Sequence, residues 1–105
     1  MTALKKDDCK HQLRYQCKLI AEDITAGEED AHKWCEGVYD IEWITFQDHS
    51  YKAARLLLAG GGPNIWVNLQ DMNVEGYWGS DRVIDPFIDN LGLDDYLEEI
   101  HASSK

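Results

Sequence analysis

The 105-residue chain offers few side chains whose types and spacing could carry out chemistry, and each has an ordinary structural alternative. Cys9, His11, Cys17, His32 and Cys35 are the groups that could gather a zinc ion. No C-x-x-C pair occurs among them, and the nearest approach to ligand spacing is His32 with Cys35 on one helical face. An odd number of cysteines without a secretory signal favours free thiols in a reducing compartment, packed as small hydrophobes. Asp81 and Asp85 are paired acids of the kind that hold Mg²⁺, although nothing in their spacing singles out that role. Asp48-His49-Ser50 contains the residue types of a hydrolytic triad, but adjacent residues cannot converge as a triad requires. Gly60-Gly61-Gly62-Pro63 lacks the G-x-x-x-x-G-K-[ST] pattern of a phosphate loop and leads into a strand, so it reads as a tight bend. No G-x-S-x-G or H-E-x-x-H signature occurs. The expectation is a protein without enzymatic activity, metal or cofactor.

Charge is the stronger signal. Twenty acidic and ten basic side chains give a net charge of −10. The first 18 residues sum to +3 and the remaining 87 to −13. Direct binding to nucleic acid, which needs a basic surface, is not expected. Asp40 and Glu42 fall on one face of a strand at a spacing of about 6.6 Å. Asp94 with Glu98, and Asp95 with Glu99, are i, i+4 pairs about 6 Å apart along a helix. Like charges at that spacing cost a helix a few tenths of a kcal/mol, offset where Asp94 and Asp95 sit in a first turn. One reading is a solvated face that keeps the protein soluble. The other is a surface that imitates the phosphate rows of a nucleic acid and occupies a basic channel on another protein. Trp66 and Tyr77 flank the same turn and are either interface anchors or a cover for the sheet beneath a helix.

The elements that must position these groups follow from periodicity. Residues 3–24 read as a helix, with Leu13, Cys17, Ile20, Ala21 and Ile24 on one face and Lys6, Lys10, Arg14 and Lys18 as a basic column. Thr25 or Gly27 is placed to cap a second helix ending at Gly37. From Val38 the period becomes two. Strands are expected over 38–46, 51–59, 65–70 and 74–79, joined by short turns into an antiparallel meander. Asp85-Pro86 resembles a helix start, and Leu93, Tyr96, Leu97 and Ile100 define a last helix. The expected fold is one α+β domain over residues 1–105, in the order α-α-β-β-β-β-α. It has N-terminal helices over 3–36, a four-stranded antiparallel sheet over 38–84, and a C-terminal helix over 86–101, with the helices on one face of the sheet.

No apolar run reaches the roughly 18 residues of a membrane span, and the N-terminus lacks a signal peptide's apolar region, so a soluble cytoplasmic protein is expected. The segments Gly61-Gly62-Pro63-Asn64-Ile65-Trp66-Val67-Asn68 and Val74-Glu75-Gly76-Tyr77-Trp78-Gly79-Ser80-Asp81, followed by the acidic 94–99 helix, resemble a group of small acidic proteins. These are carried by phages and plasmids of Gram-positive bacteria, share a G-G-P-N-[IY]-x-[VI] strand followed by a V-E-x-x-W strand, and include anti-CRISPR-like host-defence antagonists. The resemblance covers about the last 45 residues. It implies stoichiometric inhibition of a CRISPR effector nuclease, Cas9-like by preference, inside an infected or plasmid-carrying host. The effector's guide–target channel and its arginine-containing motif pocket are both basic. Asp40, Glu42, Asp94, Asp95, Glu98 and Glu99 are the expected charge contacts, with Trp66 and Tyr77 as anchors. The alternative is an acidic interaction or regulatory module of a mobile element without a nuclease target. It would act as a monomer or as a homodimer formed through the basic first helix.

Overall fold

A computed structural model describes residues 6–103. Helix α1 (Lys6–Ala26) is followed by the single turn α2 (Ala31–Trp34) and a 3₁₀ turn over Cys35–Gly37. The sheet follows as β1 (Asp40–Thr45), β2 (Tyr51–Ala59), β3 (Asn64–Asn68), β4 (Asn73–Trp78) and β5 (Asp81–Pro86), and α3 (Leu93–Ser103) ends the described chain. The strands lie in sequence order and every neighbouring pair is antiparallel.

The α+β class and the meander agree with the expected order, but the strand and helix counts do not. The sheet has five strands, not four. Asp85 and Pro86 end β5 instead of opening a helix: Asp85 pairs with Val74 and Pro86 with Asn73. A proline, which has no N–H to give, is tolerated at the end of an edge strand. The carboxylate that caps α3 belongs to Asp89, whose two oxygens accept from Leu93 N at 2.8 Å and Asp94 N at 2.9 Å. The helix expected over 86–101 therefore starts at Leu93.

The second N-terminal helix is reduced to one turn. Gly27, at φ +64°, closes α1 in the left-handed conformation that favours glycine, and Asp30 caps α2 through His32 N. Glu28, Glu29 and Asp30 lie in the link between α1 and α2, and the 3₁₀ turn begins after four helical residues. Trp34 is held to α1 by its indole N–H, which donates to Asp23. The expected start of the first helix at residue 3 lies outside the described residues.

All helices lie on one face of the sheet, α1 over β4 and β5 and α3 over β2. Leu13, Cys17, Ala21 and Ile24 of α1 meet Leu56, Ile65, Val67, Val74 and Val83 of the sheet and Leu93 and Leu97 of α3 in one core. The closest approach falls at Gly76. A Cβ there would stand 2.5 Å from Cys17 Sγ and 2.8 Å from Leu13 Cδ1. Among the described residues, no helix is long and apolar enough to cross a membrane.

This pinch makes a prediction with an unusual sign. Replacing a strand glycine by alanine normally gains by restricting the unfolded chain. Gly76→Ala is expected instead to lower stability by about 1–3 kcal/mol, because Leu13 and Cys17 must move. Urea unfolding reads the loss, and adding Cys17→Ala should recover part of it.

Candidate functional site

Strand alternation decides which side chains reach the uncovered side. Ile41 and Trp43 of β1, Leu56 of β2, Val67 of β3 and Val74, Gly76 and Trp78 of β4 point towards the helices. The intervening residues form the opposite face, which no helix covers among the described residues. One cross-strand row there runs Asp40, Leu57, Trp66, Glu75 and Ile84. The next runs Glu42, Arg55, Asn68 and Asn73. Asn64, Tyr77 and Arg82 form a third.

Arg55 organises this face. Its Nη1 donates to Glu42 Oε1 and its Nη2 to Glu75 Oε1, each at 3.0 Å. Its guanidinium lies over the Trp66 ring, 4.4 Å from the centroid. Burial alone would lower the Arg55 pKa, but the bonds to Glu42 and Glu75 outweigh it and hold the group above its ordinary value. Glu75 is only 7% exposed although it lies on an uncovered face. Its second oxygen accepts from Asn68 Nδ2 at 3.4 Å. Asn68 Oδ1 accepts from the backbone N–H groups of Gln70 and Asp71, which ties the β3–β4 turn to the network. Four strands are thus joined by one chain of charge-assisted bonds, surrounded by Leu57, Trp66, Tyr77 and the 41%-exposed Ile84.

The eight expected contact residues divide between the two sides of the molecule. Asp40, Glu42, Trp66 and Tyr77 share the uncovered face. Trp66 pairs directly with Glu75, and Tyr77 stands two residues further along β4. Asp94, Asp95, Glu98 and Glu99 belong to α3, in the helical layer. Asp94 is engaged internally, accepting the Tyr51 hydroxyl at 2.7 Å. Burial and that bond push the Tyr51 pKa up. Asp95, Glu98 and Glu99 are exposed. The acids therefore make two surfaces and not one.

Arg55, Glu75, Asn68, Leu57 and Ile84 were not among the expected contacts. Parity was the signal that could have found them. Glu75 has the opposite parity to Val74 and Gly76, and Arg55 the opposite parity to Ala54 and Leu56.

The other candidates do not assemble. Among the described residues, no group of three or more His, Cys, Asp or Glu is placed to hold a metal. Asp81 and Asp85 stand four residues apart along β5, about 13 Å, too far to share one ion. His32 Nδ1 is bonded to Tyr96 Oη at 2.8 Å. Burial pushes Cys17 and Cys35 up to about 11, with help from Asp85 and Asp89 respectively. That is the reverse of an activated nucleophile.

Comparison with protein-family models, with curated proteins and with solved structures finds no match.

Two outcomes follow from the network and the thiols. Arg55→Met should cost about 3 kcal/mol by leaving Glu75 buried without its cation. Adding Glu75→Gln should restore roughly 1 kcal/mol or more, since the buried charge is then gone. Denaturant midpoints of the two variants test this. The folded state favours the neutral thiols, so their contribution to stability is intact below pH 9 and is lost as the pH rises towards 11. A Cys17→Ala/Cys35→Ala variant should lose stability less steeply than wild type across that window, measured as unfolding midpoint against pH.

Proposed function

We propose that this protein is a non-catalytic binding module that captures a basic nucleic-acid-binding enzyme, with a CRISPR effector nuclease of the Cas9 type as the first candidate. The observation that carries the reading is the meeting of Asp40, Glu42, Trp66 and Tyr77 on a sheet face that no helix covers among the described residues. The solvated face of a two-layer protein's sheet is mainly polar. Here aromatic and aliphatic groups surround carboxylates, the mixture found where protein partners anchor. The net charge of −10 supplies long-range attraction to a basic channel and speeds encounter, and salt weakens it. The resemblance of the 61–81 segment and the acidic 94–99 helix to anti-CRISPR-like proteins points the same way.

A second reading, self-association, is favoured by the flank of α1. Arg14 and Lys18 line a cleft with His11, Tyr15 and Asp85, and form no ion pair among the described residues. Reciprocal docking on exposed α3 acids of a second copy would satisfy them.

The deciding experiment is a DNA-cleavage assay with purified effector, guide RNA and target. The expected result is stoichiometric inhibition when the protein is added before the DNA, weakened as salt is raised. Lack of inhibition across several effectors, together with a mass that doubles with concentration, would favour self-association instead.

A further inference from the structure

We infer that the uncovered sheet face is a receptor for arginine side chains of a protein partner, seated beside Asp40 and Glu42 over Leu57 and against Trp66. The inference rests on the proposed capture of a basic partner and names the surface and the side-chain chemistry.

The face already holds one guanidinium and so displays what it accepts. Arg55 sets its guanidinium carbon 4.4 Å from the Trp66 ring centroid and gives two of its N–H groups to carboxylates. A second place lies next to it, sharing Glu42 and Trp66 with the first and adding Asp40 and Leu57. In the cross-strand row, Asp40 stands beside Leu57 and Leu57 beside Trp66, so a carboxylate, an apolar floor and an aromatic wall follow one another. Glu42 is two residues from Asp40 on the same strand and face. Its side chain is 54% exposed, with only Oε1 given to Arg55. Asp40 forms no ion pair among the described residues, and one of its oxygens accepts the neighbouring Ile41 N–H at 2.9 Å. The edge of the face thus carries two carboxylates and receives one half-share of a cation.

Arginine suits this place better than lysine. A flat guanidinium can stack on the indole and offer paired N–H groups to carboxylates, whereas an ammonium is a compact, strongly hydrated charge. The exposed α3 acids, Asp95, Glu98 and Glu99, offer charge of the same sign on the other layer. They give the comparison surface that a purely electrostatic account would choose.

The test titrates the full-length, ¹⁵N-labelled protein with octa-arginine and, separately, octa-lysine at low salt. The expected result is amide shifts at residues 40–42, 55–57 and 66, with octa-arginine binding about tenfold tighter than octa-lysine. Asp40→Lys should weaken octa-arginine by about tenfold, and Asp40→Asn should act in the same direction. Glu98→Lys/Glu99→Lys should change it by less than about twofold. Shifts confined to 94–99, equal affinity for the two peptides, no shifts at all, or a folded Asp40→Lys protein that binds like wild type would each overturn the inference. The outcomes separate from the nuclease assay. Peptide shifts on the sheet without nuclease inhibition leave the receptor face standing and remove the nuclease reading. Inhibition with peptide shifts on α3 does the reverse.

Discussion

The approach of α1 to β4 at Gly76 is the constraint on which the architecture depends. Helix and strand come so close there that a methyl group has no room between Cys17, Leu13 and the sheet. That contact sets the height of α1 above β4 and β5 and brings Leu13 and Cys17 into the same core as Val74 and Val83. A close-packed core tolerates little change at such a point. With α1 seated over one half of the sheet, the other half is left for α3. The segment between β5 and α3 is bound back to the end of α1: Thr25 accepts from Ile88 N through its hydroxyl, and from Asn90 Nδ2 through its carbonyl. Gly27 serves the same junction, since a Cβ there would meet Asn90 at 2.7 Å. Both helices are thereby committed to one face.

The consequence is a second face that, among the described residues, holds itself together without a helical cover. It does so with a polar network. Arg55 reaches across to β1 and β4, Asn68 reaches from β3 to the turn and to Glu75, and Trp66 is packed beneath the guanidinium. Such a network adds little net stability over an apolar replacement, because desolvation consumes most of the electrostatic gain. What it does provide is fixed placement. The carboxylates of Glu42 and Glu75 and the indole of Trp66 are held in one arrangement before any partner arrives, which lowers the ordering cost of association.

Periodicity made much of the fold legible. The helical spacing of Leu13, Cys17, Ala21 and Ile24 marks the core face of α1, and the alternation of Ile65 and Val67 against Trp66 and Asn68 places β3. The errors fell where a local pattern supported two structures. Asp85-Pro86 satisfies the chemistry of a helix start and also of an edge-strand end, and only pairing with Asn73 and Val74 chooses between them. The run from Ala31 to Gly37 has helical residues but is too short to add a full helix before β1. In Leu56-Leu57-Leu58 an unbroken apolar run hid the parity, and the register shift after Leu57 adds to the ambiguity. The site was half legible: parity alone joined Asp40 to Glu42, but not Arg55 to Glu75.

The amino-acid sequence by itself determined the charge imbalance, the period of most elements and the residue types available for recognition, because these depend on composition and on neighbours a few positions away. The tertiary structure decided which of those residues share a surface. Asp40 and Glu42 were separated from the α3 acids because sheet and helix form different layers. Arg55 was joined to Glu42 on the neighbouring strand and to Glu75 across the intervening β3 because register aligns four strands. Trp66 and Trp78, with the same chemistry, were sent to opposite faces by the parity of two paired strands. Contacts between strands distant in the chain carry no local signature, so the meeting of carboxylate, guanidinium and indole emerges only when the sheet is assembled.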